Sequence, residues 1–207
     1  MNIFYDIETI TGPTAEQIFA DKKYLPDSRL RDPIKIAASI EEKRASDYQK
    51  AALHWTTGQI VCIGAKAGDD IFLEAGRDEK RILDDFYEWV SVKVGSVLIG
   101  KHNRKFDDGY LIGRCMVNRS GIPRSIQIDL NKIRDVNDIF GYGTHPQHAS
   151  LGNYGIALGI GGKSGKGSDV YMLADEDDWE GMKNYCIRDV DLTQEIYSIY
   201  EECCNVR

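Results

Sequence analysis

The chain has 207 residues, of which 42% are hydrophobic and 29% charged, the balance of a folded globular domain long enough to bury a full core. Its formal net charge of −7 argues against a protein that grips duplex nucleic acid by neutralising phosphates, which needs a strongly basic face. No run of 18 apolar residues occurs, so no helical membrane span and no membrane partner are expected. The first acidic motif begins so close to Met1 that no secretory signal fits ahead of it, and a cytoplasmic location is expected. Cys62, Cys115, Cys186, Cys203 and Cys204 form no C-x-x-C pair and read as reduced thiols.

Alternating strand and helix signals along the chain describe an α/β fold. Residues 2–8 read as a strand carrying Phe4-Tyr5-Asp6-Ile7-Glu8-Thr9. On a strand Asp6 and Glu8 project to the same face. Two anions held side by side are costly unless a cation neutralises them, and oxygen-only ligands suit Mg²⁺ or Mn²⁺ better than Zn²⁺. Alone, a D-x-E is more often a pair of solvated acids at a strand end. Residues 10–57 then intervene before the next strand, with helical, highly charged stretches at 14–24 and 33–53. The second stretch opens on Asp32-Pro33, a cap followed by proline at the first helical position. The simplest reading of this insertion is a surface excursion that covers a sheet edge; a lid or guide for substrate, or a partner-docking surface, is the alternative.

Strands follow at 59–65, 70–74 and 97–100, with a weaker one at 126–130 and a helix at 78–92. After Lys101-His102-Asn103 the stretch 106–116 reads as a helix that buries Phe106, Tyr110, Leu111 and Cys115. Asp107 falls in its first turn, where a carboxylate favours the helix dipole. His145 and His148 share a loop with Gly141, Gly143 and Pro146 and read as solvated. Residues 150–158 form a helix with Ser150 as N-cap and Gly159 as stop. The glycine-rich run from Gly159 to Ser168 is no P-loop, because Ala157 and Ile160 stand where the leading glycine is required. It reads as a mobile, solvated loop, with Lys163 and Lys166 in reach of a phosphate near the site. The closing helix, 179–203, has an apolar stripe of Met182, Cys186, Val190, Ile196 and Tyr200, and Asp177 or Asp178 caps it. Tyr185 and Asp189 lie four apart on one of its faces. By itself that pair reads as core packing with a wet hydroxyl.

Taken together, the D-x-E strand, Asn103-Arg104-Lys105-Phe106-Asp107 and Tyr185-Cys186-Ile187-Arg188-Asp189 resemble, in order and setting, the three motifs of the DEDD (DnaQ-like) 3′–5′ exonucleases. Tyr185 stands four residues before Asp189, as in the tyrosine branch (DEDDy), while the position used by the histidine branch is Asn184. The finer likeness is to stand-alone, often phage-encoded, exonucleases related to the proofreading domain of family B DNA polymerases. The resemblance covers most of the chain and implies one domain over 1–207 with a ribonuclease H-like core: a five-stranded mixed sheet, its second strand antiparallel, flanked by helices. It also implies that Asp6, Glu8, Asp107 and Asp189 hold two divalent ions, Mg²⁺ or Mn²⁺, about 3.5–4 Å apart. In that scheme Asp6 bridges both ions, Glu8 and Asp189 complete the nucleophile side, Asp107 serves the leaving-group side and Tyr185 orients the attacking water. Thr9 and Ile10 are then expected at the terminal nucleotide, and Asn103 and Phe106 at the next one. The implied activity is release of 5′-mononucleotides from the 3′ end of single-stranded DNA. A replication or repair protein is the expected partner for tracking along long DNA, given the acidic charge. The alternatives are an exoribonuclease or oligonucleotide-trimming enzyme on the same fold, and a non-catalytic nucleic-acid-binding or scaffold protein.

Overall fold

Strand β1 (Asn2–Thr11) divides the protein into two sides by the alternation of its side chains. Ile3, Tyr5 and Ile7 join Ile82, Leu83, Phe86, Tyr110 and Leu111 in one core. Phe4 and Ile10, on the opposite face, pack in clusters built with Val190, Ile196, Met182 and Cys186. Asp6 and Glu8 share that second face, at the place in the alternation where two more apolar residues would otherwise stand. The computed structural model describes residues 1–123, 134–140, 148–163, 165, 167 and 169–204.

After β1 come helices α1 (Thr14–Ala20) and α2 (Pro33–Ala51), then the hairpin β2 (Gly58–Ala67) and β3 (Asp70–Ala75), and α3 (Glu79–Ser91). There follow β4 (Val97–Gly100), α4 (Asp107–Asn118), the two-residue β5 (Arg134–Asp135) and α5 (Val136–Ile139). Helices α6 (Leu151–Leu158), α7 (Asp169–Asp175) and α8 (Trp179–Cys204) close the chain. The sheet order is β3-β2-β1-β4-β5, with β2 antiparallel to its neighbours and β4 parallel to both β1 and β5. The α/β class and the antiparallel second strand are as expected. Five full strands are not: among the described residues four strands are four residues or longer, and the fifth position holds only the short β5. The strand expected at 126–130 lies outside the described residues.

Helices α3 and α4 cover one face of this mixed sheet and α8, the longest at 26 residues, crosses the other. The apolar stripe of α8 is buried as expected through Met182, Cys186, Val190 and Ile196, with Tyr200 partly buried. Helices α5 and α7 were not anticipated, α7 because it follows directly on the glycine-rich run.

The insertion does not cover an outer edge of the sheet. Strand β4 pairs only with Asn2, Ile3 and Phe4, so the rest of β1 has a free flank, and α2 ends against it. Only Ala51 of α2 is buried, and hydrogen bonds rather than apolar packing fasten the helix. Thr11 Oγ1 donates to Tyr48 O (2.9 Å), Thr9 Oγ1 to Ala52 O (2.8 Å), Thr57 Oγ1 to Ala51 O (2.8 Å) and Tyr110 OH to Ala52 O (2.9 Å).

A buried ion pair locks the two helices of the first face to the sheet. Glu79 accepts from Arg114 Nε (2.8 Å) and Nη2 (2.6 Å), from Asn118 Nδ2 (2.7 Å) and from the backbone N–H of Ile60 (2.7 Å). Arg114 Nη1 also donates to Trp55 O (3.0 Å), which ties the end of the insertion into the same network. Replacing Arg114 with Leu strands the Glu79 carboxylate, and chemical denaturation should then show a loss of about 3–5 kcal/mol. An unchanged unfolding midpoint would contradict this role.

Candidate metal centre and active site

Three elements deliver four carboxylates to one cavity of about 400 Å³, lined by Asp6, Glu8, Asp107, Asp189, Tyr185 and Lys163 among others. Asp6 and Glu8 reach it from the face of β1 that α8 covers, Asp107 from the first turn of α4 and Asp189 from the middle of α8. Glu8, Asp107 and Asp189 are buried and Asp6 is half-buried. Parallel pairing of β1 with β4 makes this possible, because both strands run toward the cavity and α4 starts seven residues past Gly100.

The turn between β4 and α4 is built with care. His102 adopts a left-handed conformation (φ 69°), and its N–H donates to Asp135 Oδ1 at 2.8 Å. The Asn103 carbonyl accepts from Phe106 N (3.2 Å) and Asp108 N (2.9 Å), which starts the helix with Asp107 aimed inward. Asp108, one residue on, points away to accept from Tyr5 OH on the other face of β1. The short β5 therefore matters beyond its length, since Asp135 holds the turn that aims Asp107.

The electrostatics are those of a site short of positive charge. Burial, and then repulsion from Asp189, raise the Asp6 pKa to about 7. Burial, and then Asp6, push both Glu8 and Asp107 well above the usual carboxylate range. Asp189 is raised by burial too, although Lys163 opposes the shift. Lys163 Nζ pairs with Asp189 Oδ2 and lies 4.7 Å from the centre of the Tyr185 ring. Burial works against its charge, but Asp189 more than compensates, so the ammonium stays protonated. Lys101 also lines the cavity, with its pKa lowered by burial. The Tyr185 hydroxyl is buried beside the Lys163 ammonium, and burial raises its pKa to about 12. A buried phenol among four acids has an O–H to donate within the cavity.

These residues suit divalent cations. Carboxylate oxygens are the donor type of Mg²⁺ and Mn²⁺, the acids are held together at the cost of their ionisation, and a lysine ammonium already stands among them as a counter-charge. Asp6, Glu8 and Cys186 also bring one donor atom each within 4.8 Å of one another. The thiol of Cys186 is tied at 3.6 Å to the backbone oxygen of Asp6. Its place in the apolar stripe of α8 marked it in the sequence only as a core residue, and the structure gives it both positions.

The nucleic-acid contacts expected from the sequence fall into three groups. Thr9 and Phe106 line a second, larger groove beside the acids, Phe106 lining both spaces, and Lys163 lines the acid cavity itself. Ile10 and Asn103 are buried in the packing, Asn103 completely. Lys166 lies outside the described residues, as does His145. The segment carrying Lys163 is exposed at Gly161, Gly162, Lys163 and Gly167, as a solvated loop would be, and still reaches the cavity through Lys163. A Cβ on Gly152 would fall 3.0 Å from Lys163 N, so the bare backbone of α6 lets the segment fold back into the cavity. His102 lines the cavity but not in the role of a histidine-branch base, since its Nδ1 faces Asn137 Nδ2 at 3.2 Å.

The fold has a counterpart among solved structures. It matches part of the family B DNA polymerase of the hyperthermophilic archaeon Pyrobaculum calidifontis with a TM-score of 0.58 at 17% identity. The match takes in 93% of this chain and 23% of the polymerase, so the chain spans under a quarter of that protein's length. At this identity the likeness is one of fold, compatible with the ribonuclease H-like type. No protein-family model and no curated protein sequence matches the chain. Among the described residues no helix is long and apolar enough to cross a membrane.

The raised pKa values set the sign of a pH effect. A carboxyl group whose folded pKa exceeds its unfolded value stabilises the fold below the unfolded value, and that contribution is lost as pH rises through the folded one. The metal-free protein should therefore lose stability between about pH 4, the ordinary carboxylate range, and about 7, where Asp6 titrates. Thermal unfolding without metal should show a lower midpoint at pH 8 than at pH 5.5, and millimolar Mn²⁺ should raise the pH 8 midpoint. A metal-free midpoint that climbs over this range, or one indifferent to Mn²⁺, would contradict the electrostatic picture.

Proposed function

We propose that the protein is a metal-dependent 3′–5′ exonuclease acting on single-stranded DNA. The observation that carries this reading is the convergence of Asp6, Glu8, Asp107 and Asp189, from three separate stretches of chain, on one cavity with the buried hydroxyl of Tyr185. The resemblance of those stretches to the DEDDy motifs names the reaction, and the fold likeness to part of a family B DNA polymerase agrees with it.

Asp6, Glu8 and Asp189 would hold one divalent ion, with Asp6 shared and Asp107 serving a second, Mg²⁺ or Mn²⁺ in both places. When bound, the ions supply the charge that makes water a nucleophile at neutral pH and that stabilises the departing 3′ oxygen. Tyr185 donates its hydroxyl hydrogen bond within the cavity and so fixes the direction of attack, a positioning task that needs no change in its own protonation. Its pKa, raised to about 12, keeps it a donor through the neutral range. Lys163 is the cation available to a substrate phosphate, and it exchanges its present partner, Asp189, for that phosphate as the acids take up metal. Thr9 and Phe106 face the nucleotide being removed, while Asn103 acts from behind by holding the start of α4. The net charge of −7 fits an enzyme that holds a few nucleotides of a loose end, with a replication or repair protein to keep it on long DNA.

A 5′-labelled single strand incubated with Mg²⁺ or Mn²⁺ should shorten from its 3′ end and remain intact in EDTA. Asp6→Asn and Asp189→Asn should abolish the shortening in folded protein. Tyr185→Phe should slow it by about 10–100-fold, the penalty of a misplaced nucleophile. Near-wild-type rates in either Asp variant would overturn the assignment, and faster shortening of an all-RNA copy would move the substrate from DNA to RNA.

A further inference from the structure

The acid cavity opens into a groove of about 770 Å³, with Ile7, Glu8, Phe106 and Gly167 lining both spaces. The far side of this groove is made by the insertion, through Tyr48, Gln49, Ala52 and Leu53. We propose that α2 and the turn after it form the outer wall of a site for one unpaired 3′-terminal nucleobase, with Leu53 bearing on the base from the side opposite the core residue Phe106. This rests on the exonuclease reading and adds to it where the affinity for the strand end comes from.

Three observations carry the proposal. Leu53 is 64% exposed, an apolar side chain that folding does not use and that lines the groove adjoining the acid cavity. The end of α2 that reaches the groove is the end that is fastened. The hydroxyls of Thr11 and Thr9 hold the carbonyls of Tyr48 and Ala52, while Phe19 of α1 packs edge-on against Tyr48 at 5.2 Å. Those bonds use the threonine hydroxyls on the insertion, which leaves the substrate an apolar and aromatic surface with Gln49 as an amide in reach of a base edge. Finally, a chain of net charge −7 has little to offer the strand's phosphates beyond the one at the acid cavity, so contacts to the base add affinity that charge does not supply. The groove has the volume of a small-molecule site and not the span of a duplex, so a paired end must fray before it enters.

The test compares two single strands, alike except that one ends in an abasic 3′ nucleotide, under steady-state hydrolysis with Mn²⁺. For the wild type the abasic end should have a KM higher by on the order of tenfold, the worth of one stacked base. Leu53→Ala and Gln49→Ala should raise KM for the normal strand by about three- to tenfold, with kcat within about twofold, and should shrink the difference between the two strands. Ile34→Ala, at the exposed far end of α2, should change nothing. Leu53 is exposed, so its variant keeps the fold, and an unchanged thermal midpoint confirms that. Wild-type KM in both groove variants, or equal KM for the two strands in the wild type, would overturn the groove assignment while leaving the exonuclease reading intact. Absence of hydrolysis by the wild type on either strand would overturn both.

Discussion

Repulsion among four carboxylates is the constraint around which this protein is organised. Asp6 and Glu8 occupy two positions on β1 that the alternation would otherwise give to the core, and α4 and α8 each add one more acid to the same space. Burial raises all four, and each of Asp6, Glu8 and Asp107 is raised further by another acid of the set. Such a cluster persists only where the rest of the fold determines it. Here the determinants are the buried stripe of α8, the Glu79–Arg114 pair on the opposite face and the Asp135-braced turn before α4. Lys163 relieves part of the strain by pairing with Asp189, and that relief is reversible, since a lysine on a glycine-flanked segment can give way to a stronger cation.

Much of this was legible in the chain. Period-two alternation placed Asp6 and Glu8 together, the spacing of Tyr185 and Asp189 placed them on one helical face, and Ser150, Gly159 and Asp32 marked helix ends where the structure has them. Helix ends carry local signals in their caps, so a sequence displays them directly. Distant effects were not legible. The glycines around Lys163 read as a solvated loop, and the residue is exposed, but sequence did not show that the same glycines let the backbone approach Tyr185 and α6. Ile10 and Asn103 follow the motif pattern but are buried, because a motif gives the order of residues and says nothing of which side of a turn is packed. The two-residue β5 is too short to show any periodicity, yet its Asp135 aims a catalytic candidate.

The insertion shows how a surface addition can bear on a site. Sequence read it first as a cover for a sheet edge, but the sheet's free flank lies on its central strand, where β4 stops short and β1 continues. The end of helix α2 meets that flank through hydroxyl-to-carbonyl bonds, and Leu53 in the turn after it stays exposed at the groove. The division is simple in physical terms: the core gathers the charges, and the insertion adds apolar and amide surface beside them.

The most direct measurement on the central claim is a Mn²⁺-binding titration of the purified protein at pH 7.5, counting ions bound and protons released. About two ions per chain should bind, the number that a two-metal site holds, with net proton release because the acids are partly protonated beforehand. Asp6→Asn should lose both ions. Failure to bind Mn²⁺ at millimolar concentration, or binding that leaves the proton count unchanged and survives Asp6→Asn, would contradict the claim.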